Sequence, residues 1–392
     1  MIAKTIKGNS PEEIKTALQE SKEDSRLPDG QGYKPTLAII FISVKQDREA
    51  VCEVFNQEGI DIFGATSSGE FIEGHQSEGA IVVMLLNIKK SNYSILFEEI
   101  GERTLKDASM NLAKEALKKF NKPALILCST FFTVSGKMLD GESLIRSIEG
   151  MTDSQMKICG GMAGDDISFT GTFVFTNGRS TDYGMIALAL NEEKIDFLGM
   201  AVSGWKPIGV HKTITKCEDN LIMTIDDKPA LEMYLRFLGL DFTSDEDPSK
   251  FFDSVGVHYP LQIERENREP MMCNPIGYNI EKKALVCESN VMPGSKFRFS
   301  MPPDFDIIDT VVSKAEELKD KNNSEAEALL IFSCAGRLSA LGPMAQEENE
   351  GLQNVWKSPM EGFYTYGEFG MTENGKQEFH STTCCWVALK EK

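Results

Sequence analysis

The stretch Gly64-Ala65-Thr66-Ser67-Ser68-Gly69-Glu70 decides how the rest of the chain is read. Two glycines with hydroxyls between them and an acid behind make a tight polar turn, because glycine reaches backbone angles that other residues avoid. The spacing is that of a phosphate loop, but Glu70 stands where such a loop needs lysine, and a carboxylate there repels phosphate. Nucleotide binding by this loop is therefore set aside. Its backbone N–H groups and the hydroxyls of Thr66, Ser67 and Ser68 can still meet a small polar ligand; the alternative is a turn that merely needs glycine.

Outward from this turn, residues 60–63 read as a short strand, 47–55 as a helix and 36–42 as a strand buried on both faces. Residues 79–86 and 93–98 follow as neighbouring strands. The same plan occurs three times. A buried strand ends at serine (35–43, 123–129, 328–333), a helix-like or loop stretch follows, and a glycine turn closes on glycine plus acid. The other two turns are Cys159-Gly160-Gly161-Met162-Ala163-Gly164-Asp165 and Gly362-Phe363-Tyr364-Thr365-Tyr366-Gly367-Glu368. An apolar strand ends each unit (81–86, 185–190, 385–389). This predicts repeated strand–helix–turn–strand units with their acids at equivalent sheet ends, unless the Gly–acid pairs coincide by chance.

The remaining segments give a mixed α/β (α+β) chain, with mixed sheets flanked by helices. Ser10-Pro11-Glu12-Glu13 starts a helix. Leu105, Ala108, Leu112, Ala116 and Phe120 mark another. Residues 156–225 are strand-rich, with a hairpin turn at Asn177-Gly178. A helix at 229–237 precedes an acidic loop at 241–248, and strands around 258–301 lead to a helix bearing Ile307, Val311, Ala315 and Leu318. The expected division is an N-terminal strand and helix over 1–34, a first domain over 35–240 and a second over 241–392.

With 41 Lys+Arg against 60 Asp+Glu, the net charge is −19, which repels phosphate backbones and anionic lipid. Nucleic acid is excluded as a partner, and no apolar run approaches the length of a membrane span. Nine cysteines, an odd count without a Cys-x-x-Cys, read as reduced thiols of a cytoplasmic protein. The four histidines show no metal-ligand spacing, so no metal is expected.

Ser333-Cys334-Ala335-Gly336-Arg337 follows a buried strand directly, where side chains face a pocket. Arg337 could grip a ligand carboxylate or tie a loop. Cys334 is a buried thiol or, in an enzyme, a nucleophile. Tyr364 and Tyr366 alternate, so in a strand they share a face. Trp205 reads as a packing anchor.

Taken in order, these turns, with Gly204-Trp205-Lys206-Pro207-Ile208-Gly209, Pro229-Ala230-Leu231-Glu232-Met233-Tyr234 and His380-Ser381-Thr382-Thr383, resemble the FIST domain family, an N-terminal part followed by a C-terminal part. The family's closing segment usually has Asn where this chain has Ser381. The resemblance implies an intracellular sensor of a small ligand such as an amino acid, acting on a separate signalling protein. Some members are haem proteins that sense nitric oxide and regulate a histidine kinase of a two-component system. On this reading Arg337 takes a ligand carboxylate; Glu70, Asp165 or Glu368 takes an ammonium; and Cys334, Thr66, Ser67, Ser68, Tyr364 and Tyr366 complete the site without a cofactor. The rivals are a haem sensor, an enzyme using Cys334 or the turn carboxylates, and a scaffold without a ligand.

Overall fold

A computed structural model describes residues 1–23, 33–152, 156–240, 255–266, 268–304 and 306–392. The acidic stretch at 241–248 lies outside the described residues.

Three units follow one plan. The first runs β1 (Ile2–Gly8), α1 (Pro11–Glu23), β2 (Leu37–Ser43), α2 (Arg48–Asn56), β3 (Asp61–Ser67), a hairpin of β4 (Glu70–Ile72) and β5 (His75–Ser77), and β6 (Ile81–Asn87). The second runs β7 (Tyr93–Glu99), α3 (Leu105–Lys119), β8 (Pro123–Ser129), α4 (Gly141–Thr152), β9 (Ile158–Met162), a hairpin of β10 (Val174–Thr176) and β11 (Arg179–Thr181), and β12 (Gly184–Asn191). The third opens with β13 (Ile195–Val202) and is then interrupted. The insertion carries β14 (Lys206–Glu218), β15 (Leu221–Ile225), β16 (Lys228–Pro229), α5 (Ala230–Leu238), β17 (Leu261–Ile263), β18 (Met271–Cys273), β19 (Pro275–Asn279), β20 (Ala284–Cys287) and β21 (Lys296–Met301). The third unit resumes with α6 (Ile307–Asn322), β22 (Ala328–Cys334), α7 (Ala335–Leu341), α8 (Met344–Trp356), β23 (Met360–Thr365), a hairpin of β24 (Glu368–Met371) and β25 (Gln377–His380), and β26 (Cys384–Glu391).

The repeat is thus real and longer than its glycine turns suggest, since each unit also begins with an edge strand. The units exchange their hairpins in a ring. Sheet orders are β1-β6-β2-β3-β10-β11, β7-β12-β8-β9-β24-β25 and β13-β26-β22-β23-β4-β5. The first unit's hairpin completes the third sheet, the third unit's completes the second, and the second unit's completes the first. Within each unit one strand pair is parallel (β2 with β3, β8 with β9, β22 with β23) and needs the helical crossover that the sequence supplies. One expectation fails here. Strands 79–86 and 93–98 are not neighbours: β6 pairs with β1 and β2, whereas β7 crosses to the second sheet and pairs with β12.

Strand alternation sorts the buried residues into layers. Leu37, Ile39 and Phe41 share one core with Ile126, Cys128, Leu330 and Phe332, where the inner faces of the three sheets meet. Ile40 and Ile42 instead pack beneath α1 and α2 with Ile14, Leu18 and Phe55. Leu125, Leu127, Leu329 and Ile331 pack beneath α3, α4, α6 and α8. The inserted sheet has its own core around Ile214, Tyr234, Leu285 and Phe297. Glu361 stands two residues from Phe363 on β23, fully buried beside the backbone of Phe41 and Met84. Burial pushes its pKa well above the usual range and so favours the neutral acid. No described helix is long and apolar enough to cross a membrane.

Candidate ligand site beneath the inserted sheet

The three glycine turns converge and lock together through backbone hydrogen bonds. Ser68 N donates to Tyr364 O (3.0 Å) and Tyr364 N to Gly69 O (2.9 Å). Gly164 N donates to Thr66 O (2.9 Å), Met162 N to Gly367 O (2.7 Å) and Tyr366 N to Met162 O (3.1 Å). The approach is close enough to demand glycine: a Cβ on Gly164 would lie 2.3 Å from Ser68 Oγ and 2.7 Å from Ser68 N.

The acids after these glycines are buried and committed to the protein. Glu70 accepts from Ser67 Oγ and from Ala80 N (3.0 Å), just before β6. Glu368 accepts from Thr365 Oγ1 and from Thr383 N (3.2 Å), just before β26, which is the same arrangement in the third unit. Asp165 accepts from Tyr366 Oη (2.5 Å), Thr170 N (2.6 Å) and Gly171 N (3.1 Å). Burial raises the Glu70 pKa to about 7 and that of Glu368 well above the usual range. Thr66 Oγ1 is engaged with the backbone of Phe173, and Ser68 Oγ accepts from Asp165 N. These groups build the junction between units.

Arg337 is likewise engaged. Its Nε lies 3.1 and 2.9 Å from the two Glu348 carboxylate oxygens, Nη2 donates to Glu348 Oε1 (2.5 Å), and Nη1 donates to Ser203 O (2.5 Å) and Thr382 O (3.4 Å). Both side chains are essentially inaccessible. The guanidinium is therefore a tie, the second of the two roles its sequence position allowed, and not an open carboxylate clamp. Tyr364 and Tyr366 do not share a face. β23 ends at Thr365, so the alternation stops: Tyr364 Oη meets Gln76 and Asn349, while Tyr366 Oη meets Asp165 and Ile167 N.

What distinguishes the third turn is the insertion lying over it. A cavity of about 10 Å³, room for one water, is walled by Phe131, Phe169, Tyr366, Asn274, Glu288 and Cys334. Glu288, at the end of β20, accepts from Asn274 N (2.9 Å), Asn274 Nδ2 (3.1 Å) and Ser381 Oγ (3.1 Å). Burial raises its pKa to about 7. Cys334 lies against both Glu288 and Glu368, and burial followed by the charge of Glu368 keeps its thiol protonated, unlike a nucleophilic thiolate. Asn274 is 1% exposed, and its amide oxygen has no hydrogen-bond partner. Glu288 also walls an outer cleft of about 430 Å³ with Asp140, Asp219, Asn220 and Asn290.

The loop over the cavity is strained. Asp166, Ile167 and Phe169 have φ of +56°, +58° and +52°, unfavourable for branched and bulky side chains. The loop is wound around the Asp165 carboxylate and presents Phe169, 39% exposed, stacked 5.8 Å from Tyr366. Such strain persists only where surroundings enforce it, and it concentrates at functional sites.

Of the expected residues, Cys334 and Tyr366 line this cavity, with Glu368 against Cys334. Glu70, Thr66, Ser67, Ser68, Asp165 and Tyr364 sit in the junction beside it. Sequence reasoning missed Glu288, Asn274, Phe131 and Phe169; the only signal was an acid at a strand end before Ser289-Asn290. No cleft described here is lined by a histidine. His211 is paired with Glu264, and His380 faces Gly370 O with its pKa lowered to about 4 by burial. Among the described residues, no three His, Cys, Asp or Glu side chains gather to hold a metal ion.

Residues 36–228 match the FIST N domain and residues 230–371 the FIST C domain. The chain is also 23% identical over 343 residues to an uncharacterized protein of Methanocaldococcus jannaschii, covering 80% of this chain and 63% of that protein. This chain therefore spans a little under two thirds of its relative's length. With matched FIST N and FIST C domains covering most of its residues, the chain belongs to the FIST family, whose domains are associated with signal transduction and small-ligand sensing.

Proposed function

We propose that this chain is a cytoplasmic sensor that takes a small polar metabolite, of the class that includes amino acids, into the cavity beneath the inserted sheet. It passes occupancy to a separate signalling protein such as a histidine kinase. The observation that carries this reading is the buried amide oxygen of Asn274, left without a partner on the wall of a cavity capped by a strained loop. A buried acceptor left unmade costs free energy that a ligand donor would recover. The cavity admits one water as it stands, so a larger ligand enters only if the Phe169 loop or the inserted sheet moves, and that movement is the signal available to a partner. Nine free cysteines and the net charge of −19 support a reducing compartment and a partner other than nucleic acid.

The test is a thermal-shift screen of the whole chain against amino acids, amines, organic acids and sugars, after its visible spectrum is recorded. Binding to the native state raises the melting temperature by mass action. A reproducible shift that disappears in Asn274→Ala supports the site. The absence of a shift across all classes, or a Soret band in purified protein, overturns the reading.

A further inference from the structure

We infer that the ligand of this cavity is an organic ammonium without a carboxylate, and that a linear diamine, admitted when the Phe169 loop or the inserted sheet moves, would set one ammonium beside Glu288 and Asn274 and the other in the outer cleft. The inference rests on the ligand-site reading above and narrows it.

The acids that wall the two spaces and the unpartnered Asn274 oxygen are acceptors, with the amides of Asn220 and Asn290 beside them in the outer cleft. Glu288 has Asn274 and Ser381 as its hydrogen-bond donors and stands between the inner cavity and the outer cleft. The Asn274 oxygen is unpartnered, and an ammonium supplies the N–H that it lacks. The other walls are rings: Phe131 and Phe169 lie 5.3 and 5.8 Å from Tyr366. These rings pack on one another, and a desolvated cation that reaches the cavity wall would be attracted to whatever ring face it meets there. Outside, the cleft adds Asp140 and Asp219, while no lysine or arginine lines either space among the described residues. The nearby guanidinium of Arg337 is held by Glu348. A zwitterionic amino acid would thus leave its carboxylate facing acids, whereas a second ammonium would meet Asp219. The raised pKa of Glu288 adds a signature: a cation beside it favours the carboxylate, so binding releases protons near neutral pH.

The experiment is isothermal titration of the full chain at pH 7 with 1,4-diaminobutane, n-butylamine, 4-aminobutyrate and butyrate, repeated in buffers of different ionisation enthalpy. The diamine is expected to bind best and n-butylamine next. The 4-aminobutyrate should bind at least roughly tenfold more weakly than the diamine, with no binding of butyrate and proton release on amine binding. Asp219→Asn, on the exposed rim, should bring the diamine to the affinity of n-butylamine without changing the latter. Glu288→Gln should weaken both, with its melting temperature recorded alongside. If 4-aminobutyrate binds as tightly as the diamine, or an acid or sugar shifts the melting temperature while amines do not, the ammonium inference fails and the ligand-site reading stands. If no compound of any class binds, both fail.

Discussion

Arg337→Ala should be among the most damaging single changes in this chain. The guanidinium joins α7 to α8 through Glu348, to the end of β13 through Ser203 O, and to the turn before β26 through Thr382 O. Its side chain is 0% exposed and that of Glu348 1%. Removing it strands a carboxylate that neither water nor another described cation can reach. Breaking a buried pair from one side costs ~3–5 kcal/mol, most of it for the charge left behind. At about 1.2 °C per kcal/mol for a chain of this size, the melting temperature should fall by roughly 4–6 °C. Arg337→Met combined with Glu348→Leu removes both charges at similar volume and should recover most of the loss. The assay is differential scanning calorimetry of wild type, both single variants and the double variant at pH 7. A melting temperature within about 1 °C of wild type for Arg337→Ala would refute the structural tie and return Arg337 to the ligand.

Three further outcomes can be checked. Gly164→Ala places a methyl group against Ser68 Oγ and N, whose strand is pinned to Tyr364. It should cost ~1–3 kcal/mol by chemical denaturation, and no change would mean that the turn junction has slack. Burial raises the Glu361 pKa, so its contribution is complete below the unfolded carboxyl pKa and is lost as pH rises through the folded one. Glu361→Gln should therefore flatten the decline of stability above the unfolded carboxyl pKa by up to about 1.4 kcal/mol per pH unit, and a parallel pH profile for the two proteins would contradict a raised Glu361 pKa. Phe169→Gly relieves the positive φ and removes the ring over the cavity. It should raise ligand off-rates in stopped-flow while leaving the melting temperature close to wild type, and unchanged off-rates would remove the loop from the entry path.

Much of the fold was legible because each unit repeats a strong local signal: an apolar strand, a crossover and a glycine turn closing on an acid. The glycines also carried their reason, since Gly164 and its counterparts allow backbones to meet. The hairpin exchange was not legible. β4 and β5 are three residues each, and nothing in Glu70-Phe71-Ile72 names a partner nearly three hundred positions away. The same limit misplaced β7 beside β6, because adjacency in sequence usually means adjacency in a sheet. At the candidate site, Cys334 and Glu368 were visible as strand-end and turn residues, while Glu288 and Asn274 became relevant only once the insertion folded back over the third turn. Arg337 shows the opposite failure. Its position was read correctly, but its partner Glu348 lies in a helix whose burial the sequence pattern did not announce.

The ring of exchanged hairpins also sets a timetable for synthesis. The hairpin at 70–77 leaves the ribosome early, yet the strand it pairs with, β23, ends at residue 365. The second sheet waits for β24 and β25 in the same way. For most of translation, the nascent chain must hold open edges whose partners do not yet exist. Such edges invite pairing with other chains. A chain built this way depends on completing its last strands promptly, and a stall before residue 360 would leave two of its three sheets with exposed edges.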